Sequence, residues 1–275
     1  MARARKRLVG LVPALALAAS VVPLGVIGCG SPSVDEDLAV GLPDRVVPEA
    51  VVEGGRDGAS PPDVDAAPPP KDAGADTSAA TQAALLCGAS DLALCFAFEG
   101  AVEDHSPSAL KPTVSGVSFA PGVTGQAALF NAASFVRFAA SPSLELTTAT
   151  IEAWVKLAPN PTGDGVIFDD DNRASLTILA NGTVLCKPNG AAINAKVVVD
   201  QWTHVACVFD GANAHLYVSG FAVGSGPGVI GSSPTSTAAV GGNAPSGEPF
   251  VGAIDSLRVF RVARTPAQIA AAAGK

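Results

Sequence analysis

Gln201-Trp202-Thr203-His204-Val205-Ala206-Cys207-Val208-Phe209-Asp210-Gly211, followed by Ala214-His215-Leu216-Tyr217-Val218-Ser219-Gly220, is the stretch on which the fold turns. In an extended chain Val205, Cys207 and Phe209 share one face while Trp202, Ala206 and Val208 share the other, as in a strand covered on both sides. Asp210-Gly211 and Asn213 tolerate the positive φ of a tight turn, and apolar residues resume at Leu216. The unit reads as a central hairpin.

Strand signals spread outward from it. Residues 93–99 place Leu94, Phe96 and Phe98 on one face, and residues 134–139 are aromatic and β-rich. Across residues 150–157, Ile151, Ala153, Val155 and Leu157 alternate with Glu152, Trp154 and Lys156. Residues 175–180 and 183–187 flank Asn181-Gly182, a strong hairpin turn. Residues 252–260 form a last long strand. Thr265-Pro266-Ala267-Gln268 then starts a short helix, with Thr265 as N-cap, Pro266 at the first helical position and Gln268 completing a capping box. Many strands, turn signals about every ten residues and one short helix predict an all-β, antiparallel two-sheet sandwich or jelly roll with a short C-terminal helix.

The ends of the chain are different in kind. Arg3, Arg5, Lys6 and Arg7 precede an apolar run from Leu8 to Ile27, which could be a membrane anchor or a cleaved signal. Val26-Ile27-Gly28-Cys29 resembles a bacterial lipobox, which implies a signal peptide over residues 1–28 and lipidation of Cys29. Residues 29–84 read as a tether: from residue 30 on they carry eleven acids against three bases, no aromatic residue, and prolines at 61–62 and 68–70. Such a segment lacks the apolar surface to offset chain entropy, and its prolines and like charges favour extension. Residues 85–275 are left for one folded domain, exported and held at the cell envelope, on an outer membrane or cell surface.

That domain has fourteen acids and ten bases, with no basic cluster, which argues against nucleic acid as a partner. Its four cysteines, Cys87, Cys95, Cys186 and Cys207, imply two disulfides in an oxidising compartment, with three connectivities open. The spacing favours Cys87 with Cys95, closing a short loop, and Cys186 with Cys207, linking residues 183–187 to the central strand if the two lie side by side. No Cys-x-x-Cys pair is present and the three histidines are dispersed, so a zinc site is not indicated.

The same residues carry a family resemblance that covers nearly the whole domain. Phe96-Ala97-Phe98-Glu99-Gly100 with Asp104, Gly125-Gln126-Ala127-Ala128-Leu129-Phe130, Thr150-Ile151-Glu152-Ala153-Trp154-Val155, the Trp202 stretch and Phe250-Val251-Gly252-Ala253-Ile254-Asp255-Ser256-Leu257-Arg258-Val259 resemble, in order, the strands of laminin-G-like, concanavalin-A-like jelly rolls. The resemblance implies a surface module that binds glycans or proteins, often with calcium. It also implies that Glu99, Asp104 and Asp255 meet near one end of the sandwich as calcium ligands. Asp255, inside an apolar strand, needs either a metal or hydrogen-bond donors, and its sequence context leaves both open.

Chemistry of other kinds finds little support. Relatives of this architecture include glycoside hydrolases with a Glu-x-Asp-x-x-Glu strand, but Glu152 is followed by Trp154 and Leu157 at the corresponding places. No Gly-x-Ser-x-Gly elbow occurs, and His204 and His215 sit on strands where a packing role is expected. Asp169-Asp170-Asp171-Asn172 reads as a solvated surface loop, because consecutive acids on a turn cannot all point inward. The expectation is therefore a non-enzymatic, lipid-anchored binding module for a carbohydrate or extracellular polymer, with structural or protein adhesion as the alternative. The scarcity of aromatic residues, with Trp154, Trp202 and Tyr217 all on strands, counts against stacking platforms for sugars.

Overall fold

The computed structural model describes residues 78–275 except Thr162, Asn172, Gly190, Ala191 and Pro245. The signal peptide, Cys29 and nearly all of the expected tether lie outside the described residues. In chain order the elements are α1 (Ala79–Leu86), β1 (Leu92–Phe96), β2 (Thr113–Ser115), β3 (Ser118–Pro121), β4 (Gln126–Phe130), β5 (Phe135–Phe138), β6 (Ala149–Leu157), β7 (Gly165–Asp170), β8 (Ala174–Ile178), β9 (Thr183–Pro188), β10 (Ile193–Lys196), β11 (Thr203–Phe209), β12 (Asn213–Val218), β13 (Phe221–Pro227), β14 (Ala238–Val240), β15 (Gly252–Phe260) and α2 (Pro266–Ala272). Every strand pairing is antiparallel. One sheet runs β13-β12-β11-β6-β15-β4-β3 with β1 also on β15; the other runs β10-β9-β8-β7-β14-β5-β2. The predicted all-β sandwich is the fold observed.

The core lies between the sheets and follows the period-two pattern. Ile151, Ala153, Val155 and Leu157 of β6 and Val205, Cys207 and Phe209 of β11 face Leu176, Ile178, Val184 and Cys186 of the second sheet. A chain of aromatic contacts closes one end, with Phe98 edge-on to Phe130 at 6.4 Å and Phe130 edge-on to Phe250 at 6.3 Å. Each such fully buried ring contributes about 2 to 3 kcal/mol. Gly241, at φ 76°, lies against the Phe130 ring where a Cβ would collide, so only glycine fits at this entry to the loop over residues 241–250.

Helices cover part of the outer face of the first sheet, and beside them a hollow of about 450 Å³ stays open, with Trp154, Ser256 and Arg258 in its lining. Ile269 of α2 is fully buried on Ala206, Val208 and Tyr217, which explains why β11 is apolar on both faces. α2 starts as expected: Gln268 N–H donates to Thr265 Oγ1, and Thr265 N–H donates to Gln268 Oε1 at 2.8 Å. α1 is absent from the sequence reading, which ends its tether at residue 84. Ser78 caps this helix, Ala83 is buried, and Cys87 ties its end to Cys95 in β1. The folded region thus begins by Ser78.

Both disulfides join the cysteines that the sequence reading pairs, but the second does so across a different geometry. β9 belongs to the second sheet and β11 to the first, so Cys186–Cys207 bridges the two layers and not two neighbouring strands. Both cysteines point into the core. Their Cα atoms are 5.4 Å apart, against the usual spacing of about 10 Å between stacked sheets, so the layers are drawn together there.

Candidate functional site

β8 turns Ala174, Leu176 and Ile178 inward and leaves Ser175 and Thr177 on the outer face of the second sheet. The register extends that face into one transverse row: Arg137 of β5 opposite Ala239 of β14, Ala239 opposite Asp169 of β7, Asp169 opposite Ser175, and Ser175 opposite Lys187 of β9. Ala244 reaches this face from the segment after β14, and its N–H donates to Asp169 Oδ2 at 3.0 Å. Beside that segment lies a hollow of about 340 Å³, lined mainly by Asp169, Ser175, Lys187, Asn189, Asn243 and Glu248. Asn243 Nδ2 donates to Glu248 Oε2 at 3.2 Å, presetting two rim side chains. Such amides, carboxylates, hydroxyl and ammonium suit a ligand rich in hydroxyl groups.

The acids here correct the expectation of a solvated loop. Asp169 and Asp170 end strand β7 and are both buried. Burial pushes Asp169 up to about 6, against the pull of the Ala244 N–H and with a further push from Asp171 and Glu248. Asp170 faces inward at the sandwich end, where burial pushes it up to about 7 although Arg173 pulls the other way. Arg173, itself buried, lies 3.1 Å from Asp170 and 3.3 Å from Glu145, and it donates to the carbonyls of Gly231, Leu144 and Leu146. It pins the loops beneath the hollow.

The three expected calcium ligands do not assemble as one set. Asp104 is buried within its own loop, where Oδ1 accepts from Cys95 N–H and Ser106 N–H, and Oδ2 from the Ser106 hydroxyl and Leu110 N–H. Those four donors account for its burial, so Asp104 is removed from the ligand set. Glu99 and Asp255 do come together, at the turn between β3 and β4. Asp255 Oδ2 accepts from Val123 N–H at 2.8 Å and Thr124 N–H at 3.2 Å, and Glu99 Oε2 accepts from Gln126 N–H at 3.0 Å. Burial raises both carboxyls, and their mutual repulsion raises Glu99 further. A Cβ on Gly125 would strike the Glu99 and Gln82 side-chain oxygens, and one on Gly122 would meet Asp255 Oδ2 at 2.6 Å and Gln126 O at 2.9 Å. Oxygen atoms therefore crowd one glycine turn, a donor set that fits a hard cation. Among the described residues no group of three or more His, Cys, Asp or Glu side chains forms a metal cluster.

The sequence reading assigned no partner to Glu152, and the structure gives it several. It is fully buried on the outer face of the first sheet, with Arg258 Nη2 at 2.6 Å, Arg264 Nη1 at 3.6 Å and His204 Nε2 at 3.8 Å. Burial raises its carboxyl while both guanidiniums pull it down, and burial followed by those same arginines pushes His204 down to about 4. His204 is neutral near pH 7 and packs edge-on against Trp154. His215 instead bonds Asp210 at 2.9 Å on the surface. A Glu alternating with apolar residues on a central strand, with an Arg on another, was the available signal. Their adjacency came only with the β6–β15 register, which sets Glu152 opposite Arg258.

With this geometry established, the chain was compared with known proteins. A model of the concanavalin A-like lectin/glucanases superfamily matches residues 130–270. No curated protein sequence matches the chain significantly. Among solved structures, domain 4 of a GH43 extracellular arabinanase from Geobacillus stearothermophilus, in complex with arabinotriose, is 22% identical with a TM-score of 0.56, covering 66% of this chain and 98% of that one. The binding domain of Paraclostridial mosquitocidal protein 1 is 17% identical with a TM-score of 0.53, covering 66% and 52%. The binding domain of botulinum neurotoxin DC in complex with rat synaptotagmin II is 14% identical with a TM-score of 0.53, covering 67% and 51%. The chain spans about half the length of these two toxin binding domains. At such identities the likeness is one of fold.

Proposed function

The chain belongs to the concanavalin A-like lectin/glucanases superfamily, and from that premise we propose that it is a non-enzymatic binding module for a carbohydrate or extracellular polymer, presented at the cell envelope by a lipid anchor on Cys29. The observation that carries this reading is the hollow on the second sheet, where Asp169, Ser175, Lys187, Asn189, Asn243 and Glu248 converge. Lectin-like recognition by hydrogen bonds needs such a set and does not require an aromatic platform within the hollow. The arabinotriose complex of the arabinanase domain lends support, since the two share a fold. Glu152, the strand carboxylate most suggestive of a hydrolase, is buried and committed to two arginines. The calcium reading narrows to Glu99 and Asp255 with the neighbouring oxygens; there a cation would offset the repulsion between two carboxylates and rigidify the β3–β4 turn.

A glycan array probed with the domain, with calcium and with chelator, tests the proposal. Binding that Asp169→Ala or Asn243→Ala weakens at least tenfold is expected, and binding indifferent to both would remove the hollow as the site. Protein adhesion is the second reading, favoured by edge strand β13, where Phe221 and Val223 are exposed beside an unpaired backbone edge. Loss of partner binding in Phe221→Ser with glycan binding intact would support it.

A further inference from the structure

The loop over residues 241–250 borders a second hollow, of about 220 Å³, on the same outer face. Phe135, Arg137, Ser134, Gly242, Gly247 and Pro249 line it, and no acidic side chain does. Arg137 stands in the transverse row with Asp169, two strands away, a distance of about 10 Å. Its guanidinium lies over the Phe135 ring, with Cζ 3.8 Å from the centroid. That cation–π contact holds the guanidinium on the ring and leaves its Nη groups able to donate.

The other arginines of the described residues are all engaged. Arg173, Arg258 and Arg264 face carboxylates, and Arg261 donates to Ser143 O and Ser108 Oγ, each at 2.8 Å. Among the described residues Arg137 has neither an ion pair nor a hydrogen bond, and its Nε is buried without a partner. A buried donor left unsatisfied is costly. The four Nη donors, held on an aromatic ring beside a hollow whose lining has no carboxylate, match a planar carboxylate in bidentate fashion.

We propose that Arg137 is the acidic-group subsite of the binding face, and that the ligand is a polysaccharide bearing uronate carboxylates. The inference rests on the carbohydrate reading above and makes it narrower. Its polarity along the row is fixed: the carboxylate seats on Arg137, while a hydroxyl-bearing neighbouring unit lies at Asp169 and Glu248, whose charges would repel a second acid. Lys187 on the far side of Asp169 supplies a further cation.

Binding is measured for glucuronoxylan, hyaluronan and polygalacturonate, each before and after carboxyl reduction, with dextran sulfate as a separate anion. At least one uronate polymer should bind, and its reduction should cost tenfold or more in affinity. Arg137→Gln should abolish that difference at unchanged melting temperature, and Arg137→Lys should restore only part of it, because an ammonium cannot form the fork. If reduced and native polymers bind alike and Asp169→Ala weakens both, the acidic subsite is wrong and the carbohydrate reading stands. Dextran sulfate binding as tightly as the uronates through Arg137 would overturn the carboxylate assignment. Failure of every polymer, native and reduced, would remove the sugar site and this inference together.

Discussion

On the first sheet the outer charges gather into one cluster: Glu152 answers Arg258 and Arg264, His204 is held neutral, and α2 covers β11 and β12. On the second sheet, among the described residues, Arg137 and Lys187 have no ion pairs, burial pushes Asp169 up to about 6, and two hollows open, one lined by Asn243 and the other by Gly247. Strands of the same sandwich thus present one face whose buried charges gather in an ion-pair cluster and one where Arg137 and Lys187 line hollows. Buried charge that is fully paired reads as architecture, and charge left open beside a cavity reads as recognition.

The sharpest way to break this contrast is to remove Glu152. Glu152→Ala leaves two guanidiniums buried and uncompensated, so a loss of about 3 to 5 kcal/mol is expected in urea unfolding. Arg137→Gln, by contrast, should stay within about 0.5 kcal/mol of wild type. Equal effects at the two positions would erase the distinction. Next comes the bond between the faces: Cys207→Ser should cost about 2 to 4 kcal/mol and free only the thiol of Cys186, as non-reducing peptide mapping would show.

Smaller effects separate the faces by pH. His204 is depressed in the fold, so its contribution is present above its unfolded value of 6.5 and is lost as pH falls through about 4. The loss should reach about 2 to 3 kcal/mol and vanish in His204→Gln. Asp169 is raised, so its contribution runs oppositely: stability is greatest below its unfolded value of 3.8 and falls as pH rises through about 6. Asp169→Asn should therefore stabilise by on the order of 1 kcal/mol at pH 8 and by nothing at pH 3. Thermal melts of the two variants across pH 3 to 8 that ran parallel to wild type would contradict both assignments.

The sequence made much of the first sheet legible, because β6, β11 and β15 have long alternating runs that only a buried strand explains. β13 and β14 were harder to see: glycines and a proline interrupt the first, and the second is three small residues between flexible segments. The cysteine pairing was readable from order and number, yet order cannot tell a neighbour in the same sheet from one across the core. Glu99 and Asp255 were legible as a pair and Asp104 was not separable from them, since backbone donors leave no mark in sequence. The binding face was the least visible. Arg137 looks like any surface arginine until its neighbours are known to hold no acid.

The Cys87–Cys95 bond has a mechanical side. A pull on the N-terminal end of the domain can unwind α1 only as far as Cys87, where the backbone meets a covalent stop. Load then passes through sulfur directly into β1, and further extension must strip that strand from β15, in the interior of the first sheet. Tension from that end would therefore meet the β1–β15 ladder before it reached any strand of the sheet that bears the two hollows.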